Sequence, residues 1–129
     1  MSKIIDVVNN LPDLLTTGAA DSESIQNAEK ELGLKFADEY KEYLGEFGSI
    51  LAEDVEITGI AKSKNRNVVT VTLREWDLNT QVEHSLYVVE TLAIDGIIIW
   101  QDEFGCIYES TLNNKPKKIA SSLVDYLES

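Results

Sequence analysis

An α+β fold, with helices from both ends of the chain packed on a mostly antiparallel central sheet, is predicted by three features of this sequence. Amphipathic helical spacing runs through Phe47 and returns near the C-terminus, and the stretch between is a succession of short extended runs broken by turn residues. The third feature is order: the strands follow one another without intervening helices, which disfavours a parallel nucleotide-binding sheet.

Taken in order, residues 4 to 15 carry Ile4, Ile5, Val8, Leu11 and Leu15 on one side, so a first helix is expected there, bent or ended by Pro12. Gly18 to Ser22 reads as a linker. In a second helix Ile25, Ala28 and Leu32 recur at the three-and-four spacing that stacks side chains on one face. Ser22 stands where an N-cap would satisfy orphan amides, and Gly33 where a left-handed residue would end the run. In a third helix Tyr40, Tyr43, Leu44 and Phe47 repeat the spacing, Asp38 and Glu39 sit at the positive end of the dipole, and Gly48 closes it.

Past an acid-rich connection from Ser49 to Glu56 the character becomes extended. Val55 and Ile57 suggest a short strand, and a polar turn follows at residues 62–67. Val68 to Trp76 reads as the longest strand, with Val69, Val71 and Leu73 on a dry face and Val68, Thr70, Thr72, Arg74 and Trp76 on a wetter one. Glu83 to Glu90 is expected to return antiparallel to it. Asp95-Gly96 signals a turn before Ile97–Gln101, whose apolar residues on both faces argue a central strand. Phe104-Gly105 turns the chain into the run from Cys106 to Ser110, and Lys117 to Leu127 reads as the last helix, with Ile119, Leu123, Val124 and Leu127 inward.

The length, 129 residues, fits one domain spanning residues 1–129, and a chain of this size buries roughly two thirds of its unfolded surface without a disulfide or metal staple. The single cysteine, Cys106, reads as a small buried hydrophobe and permits a reducing compartment. Asp6, Asn9, Asn10 and Asp13 interrupt the first apolar run, which is wrong for a signal peptide, and the longest wholly apolar run, Ile97–Trp100, is far too short to span a bilayer. A soluble cytoplasmic protein with no membrane association is therefore expected.

The net charge of −12 is laid out unevenly. Eight acids (Glu75, Asp77, Glu83, Glu90, Asp95, Asp102, Glu103 and Glu109) lie between Glu75 and Asn114 without one Lys or Arg. Such a surface repels phosphates where a nucleic-acid binder needs cations, so direct nucleic-acid binding is excluded and a basic protein partner fits better.

No phosphate-binding glycine loop, glycine-flanked Ser nucleophile or Cys/His pair is present, and the one imidazole, His84, with one Cys cannot build a zinc site. No cofactor is expected. Two carboxylate clusters remain, Glu53, Asp54 and Glu56 in one loop and Asp102 with Glu103 in another; neither has the spacing that wraps calcium. Both read either as solvated loops or as docking patches for a cationic partner. Trp100, inside an apolar strand, belongs to the core, whereas Trp76 between Glu75 and Asp77 is a candidate exposed anchor. Lys115, Lys117 and Lys118 offset the acidic surroundings before the last helix.

A helix with an Ile and a Glu before Leu-Gly, then an aromatic helix ending in Phe-Gly, resembles the SUKH superfamily, which includes a yeast cell-wall assembly regulator and many bacterial immunity proteins. The residues that carry the likeness are Ile25, Glu29, Leu32, Gly33, Tyr40, Tyr43, Leu44, Phe47 and Gly48. It extends more loosely through Asp95-Gly96, Trp100, Tyr108 and Ile119-Ala120, leaving only residues 1–20 outside. The chain departs at Ala37, where such proteins usually carry proline, and at Ser49, where a second glycine is common. The resemblance implies a non-enzymatic immunity protein (antitoxin) that binds and blocks a cognate toxin, one acting on nucleic acid. Glu53, Asp54, Glu56, Asp102 and Glu103 would then meet the toxin's cations. A non-inhibitory scaffold and a small carboxylate-dependent hydrolase are the alternatives.

Overall fold

The structure is a computed structural model that describes residues 3–92, 96–112 and 114–129. The expected Asp95 turn residue lies outside them, while Gly96 has a positive φ of 63°. Among the described residues, five helices and two antiparallel sheets follow the predicted α+β class.

Helix α1 (Lys3–Asn9) buries Ile4 and Val8. It is shorter than expected, because Asn10 and Leu11 N–H groups turn back to Val7 and Val8 before Pro12. Leu15 leaves the helix altogether and lies exposed in the two-residue strand β1 (Leu15–Thr16). Helix α2 (Ser22–Leu32) buries Ile25, Ala28 and Leu32 and ends at Gly33, whose φ of 68° is left-handed. Its cap is Asp21, whose carboxylate accepts from the Ser24 N–H, and Ser22 is already the first helical residue. Helix α3 (Asp38–Phe47) buries Tyr40, Tyr43, Leu44 and Phe47 and closes at Gly48.

The acid-rich connection holds a strand that its composition hides, β2 (Ile50–Leu51), paired with β1 on one side and with β3 (Glu56–Ile57) on the other. Gly59 lies so near the Gly48 carbonyl oxygen that an added Cβ would stand 1.7 Å from it.

Residues 68–76 are not a strand. They belong to helix α4 (Val68–Leu78), capped by the Asn67 side chain, which accepts from the Val69 and Thr70 N–H groups. The β-branched run alternates as a strand would, yet its buried residues Val68, Val71, Thr72, Glu75 and Trp76 also fall at helical spacing. Packing against the second sheet selects the helix over intrinsic preference: the Thr72 hydroxyl accepts from Val88 N–H at 3.0 Å.

The second sheet runs β4 (Tyr87–Leu92), β5 (Ile97–Gln101), β6 (Ile107–Ser110), β7 (Lys117–Ala120), each antiparallel to the next. Strand β4 therefore pairs with β5, not with residues 68–76. β5 is central as predicted, with Ile98, Ile99, Trp100 and Gln101 all buried. Residues 117–120, expected to be helical, pair with β6 as the edge strand and leave Ile119 exposed. Only Leu123–Glu128 are helical (α5), starting after the Ser122 cap. The two sheets meet where Thr58 donates its N–H to Val89 O and its hydroxyl to Val88 O.

Candidate partner-docking site

The most distinctive surface begins at the turn between β5 and β6. Asp102 fastens that turn: one carboxylate oxygen accepts from the Phe104 and Cys106 N–H groups at 3.0 and 2.9 Å, and the other from the Tyr108 hydroxyl at 3.0 Å. Gly105, at φ 95°, supplies the backbone geometry few other residues adopt. The turn so fixed thrusts the Phe104 ring outward, 82 % exposed, more than any other large hydrophobic described. Glu103 beside it is exposed as well.

Phe104 overlooks an open cleft of about 590 Å³ whose apolar walls are Leu86, Phe104, Tyr108 and Pro116. Glu83, Asp102 and Glu103 line it with carboxylates, and Lys115 brings a cation that makes no ion pair among the described residues. Burial pushes the Tyr108 phenol up, and the Asp102 and Glu83 charges push it further, so Tyr108 stays a neutral donor to Asp102.

The other acidic loop sits elsewhere. Glu53 and Asp54 are exposed, and the Glu53 N–H donates to Pro12 O. Glu56 pairs with Arg66 at 3.5 Å and donates its backbone N–H to Glu90. Glu90 is buried, and its second oxygen accepts from the Tyr126 hydroxyl. Burial raises its carboxyl above the ordinary range, hydrogen bonds from Glu56 and Tyr126 oppose that, and the Glu56 charge adds to it. Asp54 and Glu90 share a second cleft, of about 420 Å³, with Leu92, the residue opposite Ile97 at the start of β5. Asp102 follows Gln101, at the end of β5. The two acidic loops thus occupy opposite ends of the central strand, and no carboxylate pair forms between Glu53 and Asp102.

Trp76 is not an exposed anchor. On a helix, not a strand, it turns inward to 8 % exposure; its indole N–H donates to Leu86 O at 2.9 Å, and His84 stacks flat on it at 4.1 Å. His84 itself is exposed and precedes the strand. Trp100 is fully buried, as expected of core, while Cys106 is only half-buried.

The exposed aromatic that sequence reasoning sought is Phe104, which passed as a turn residue. Its signal was an apolar ring between two acids and a glycine, with no element to pack against. A further basic segment, Lys62, Lys64 and Arg66, lies in the loop ahead of α4. Among the described residues no three His, Cys, Asp or Glu side chains gather as a metal site, and no helix is long and apolar enough to cross a membrane.

The family model SUKH_5, described as SMI1-KNR4 cell-wall, matches residues 1–129. The chain belongs to the SUKH_5 family. A crystal structure of a protein from Pseudomonas syringae pv. tomato is similar in fold, with a TM-score of 0.77 at 15 % identity over 100 % of both chains. A comparison with curated proteins finds no match.

The residues that carry the SUKH pattern here build the frame and not the cleft. Glu29 accepts from the Phe36 N–H at 2.8 Å, joining α2 to the approach of α3. Tyr40 and Tyr43 send their hydroxyls to Thr58 O and Ile57 O, and Tyr87 donates to Gln101 while accepting from Ala37 N–H. Burial raises all three phenols, which therefore remain neutral hydrogen-bonding groups in this SUKH_5 core.

Proposed function

We propose that this SUKH_5 protein is an immunity protein that binds a cognate toxin and blocks it, the toxin being one that acts on nucleic acid. The observation that carries this reading is Phe104, an exposed aromatic on a turn fastened by Asp102 at the rim of an acid-lined cleft. Interfaces are held by such aromatic anchors within polar surroundings, and an enzyme that grips phosphates presents cations complementary to Glu83 and Glu103. The family resemblance supplies the class, and the charge of −12 supplies long-range attraction toward a basic surface. Inhibition then comes from occlusion, without chemistry on the part of the immunity protein.

The test is capture from the native cell with tagged protein, followed by assay of the captured protein on nucleic acid with and without added immunity protein. A co-purifying nuclease or nucleic-acid-modifying enzyme, silenced at one-to-one ratio, is expected. Recovery of a partner whose activity persists in the complex would replace this reading with a scaffold role. A toxin C-terminal domain encoded next to this gene is the inexpensive companion observation.

A further inference from the structure

We infer that the cleft beside Phe104 receives an arginine side chain of the partner, its guanidinium laid against the Phe104 ring and its charge met by Glu103 and Glu83. That the donor is a toxin rests on the immunity reading; the preference of the cleft for a guanidinium does not. Three observations lead here.

The first is the ring itself. Phe104 is 82 % exposed, yet its backbone is pinned by Asp102 through the N–H groups of Phe104 and Cys106, so exposure is imposed by the turn. A ring presented in this way needs no backbone rearrangement to offer a face, and weakly hydrated planar cations settle on aromatic faces.

The second is the division of labour among the carboxylates. Asp102 spends both oxygens on its own turn and on Tyr108. Glu103 has no such engagement among the described contacts, and Glu83 has only a 3.4 Å contact from the Ser85 hydroxyl. Two carboxylates therefore stay available to the N–H fork of an arginine, which bonds such groups in pairs where a lysine ammonium meets them as a point charge.

The third is the mixed lining. Leu86, Tyr108 and Pro116 give the cleft apolar walls that suit the methylene stem of a long cationic side chain. Lys115, on the same wall, opposes any incoming cation, so it sets a limit on affinity that substitution can lift.

The full-length, isotope-labelled protein is titrated with acetyl-Gly-Arg-Gly-amide and with its lysine, citrulline and leucine counterparts, and backbone amide shifts are followed. The arginine peptide is expected to give saturable shifts at Glu103, Phe104 and Tyr108, the lysine peptide weaker ones, and the neutral citrulline and leucine peptides the weakest. Phe104→Leu, which keeps apolar bulk but removes the ring, should weaken arginine binding roughly threefold to thirtyfold. Lys115→Gln should strengthen it. Citrulline or leucine binding equal to arginine, wild-type affinity in Phe104→Leu, or the absence of any saturable shift overturns the assignment. A toxin captured as tightly by Phe104→Leu as by the wild type would also overturn it while leaving the immunity reading intact. Arginine binding in the cleft of a protein that captures no toxin would uphold it and remove the immunity reading instead.

Discussion

Single carboxylates decide much of how this molecule is held together. Glu39 accepts from Leu123 N–H at 2.7 Å, Val124 N–H at 3.1 Å and the Gln101 side chain at 2.9 Å, joining α3 to the start of α5 and the end of β5. The sequence placed Glu39 in the first turn of its own helix as a dipole partner; its larger task, capping a helix more than eighty residues away, is invisible to local spacing. Charge-assisted bonds of this kind contribute about 1.5–3 kcal/mol. Glu39→Ala should therefore lower the free energy of unfolding by about 2 kcal/mol in urea denaturation. Ala37 and Ser49, where the SUKH resemblance leads one to expect proline and glycine, also make contacts no local rule reads. The Ala37 N–H donates to Tyr87, a bond proline could not make, and the Ser49 hydroxyl meets that of Thr17.

Glu90 gives the residue scale its pH dependence. Its carboxyl is raised by burial, so the folded state holds the proton more tightly than the unfolded one. The groups around it, Glu56, Tyr126 and Asp54, include no base in contact with its carboxylate. The protonated form thus adds stability that is fully present below the unfolded carboxyl value and is lost as pH rises through the raised folded one. Glu90→Gln stays neutral and keeps one acceptor, and the Tyr126 hydroxyl can reverse to accept from the new amide. The difference in thermal midpoint between variant and wild type should grow in the variant's favour as pH rises across that window and be constant outside it. A difference that does not change with pH places the titration elsewhere.

At the scale of elements, legibility followed the reach of the signals. Helices α2 and α3 were readable because their buried stripes and glycine stops lie within their own segments, although the α2 cap is Asp21 and not Ser22, and α3 has no side-chain cap. β5 was readable because an apolar run on both faces has few other uses. Residues 68–76 were misread because Val and Thr favour strands, and what makes them helical is a cap at Asn67 and a buried stripe against β4. Residues 117–120 failed in the opposite direction: their pairing with β6 is a tertiary fact. Asn67→Ala removes the acceptor for two N–H groups and should cost about 1 kcal/mol, measured by denaturation. Gly59→Ala is more severe, since its Cβ would stand 1.7 Å from the Gly48 carbonyl oxygen, a backbone atom that cannot swing away. Its loss should exceed about 3 kcal/mol, read as a collapsed thermal transition.

For the molecule as a whole the open matter was whether its acids act as one field or as a local patch. They do not form one patch: Glu53 and Asp54 lie toward the start of β5 and Asp102 and Glu103 beyond its end. Each end also has a base, Arg66 beside Glu56 and Lys115 in the cleft with Glu103, so charge alone does not choose between them. Phe104 does, because it is the most exposed large hydrophobic among the described residues and stands at the Glu103 end. Two double variants separate the possibilities, Glu83→Gln with Glu103→Gln and Glu53→Gln with Asp54→Asn, each removing two negative charges from the same total. If net charge alone steers the partner, both should slow association equally. If docking is at Phe104, the first pair should slow it roughly several-fold more than the second at low ionic strength. That gap should close near 1 M salt, where screening shortens the reach of a charge to about 3 Å. Stopped-flow association with the captured partner reads both arms, and a larger effect from the second pair would move the docking surface to the Glu53 end of the sheet.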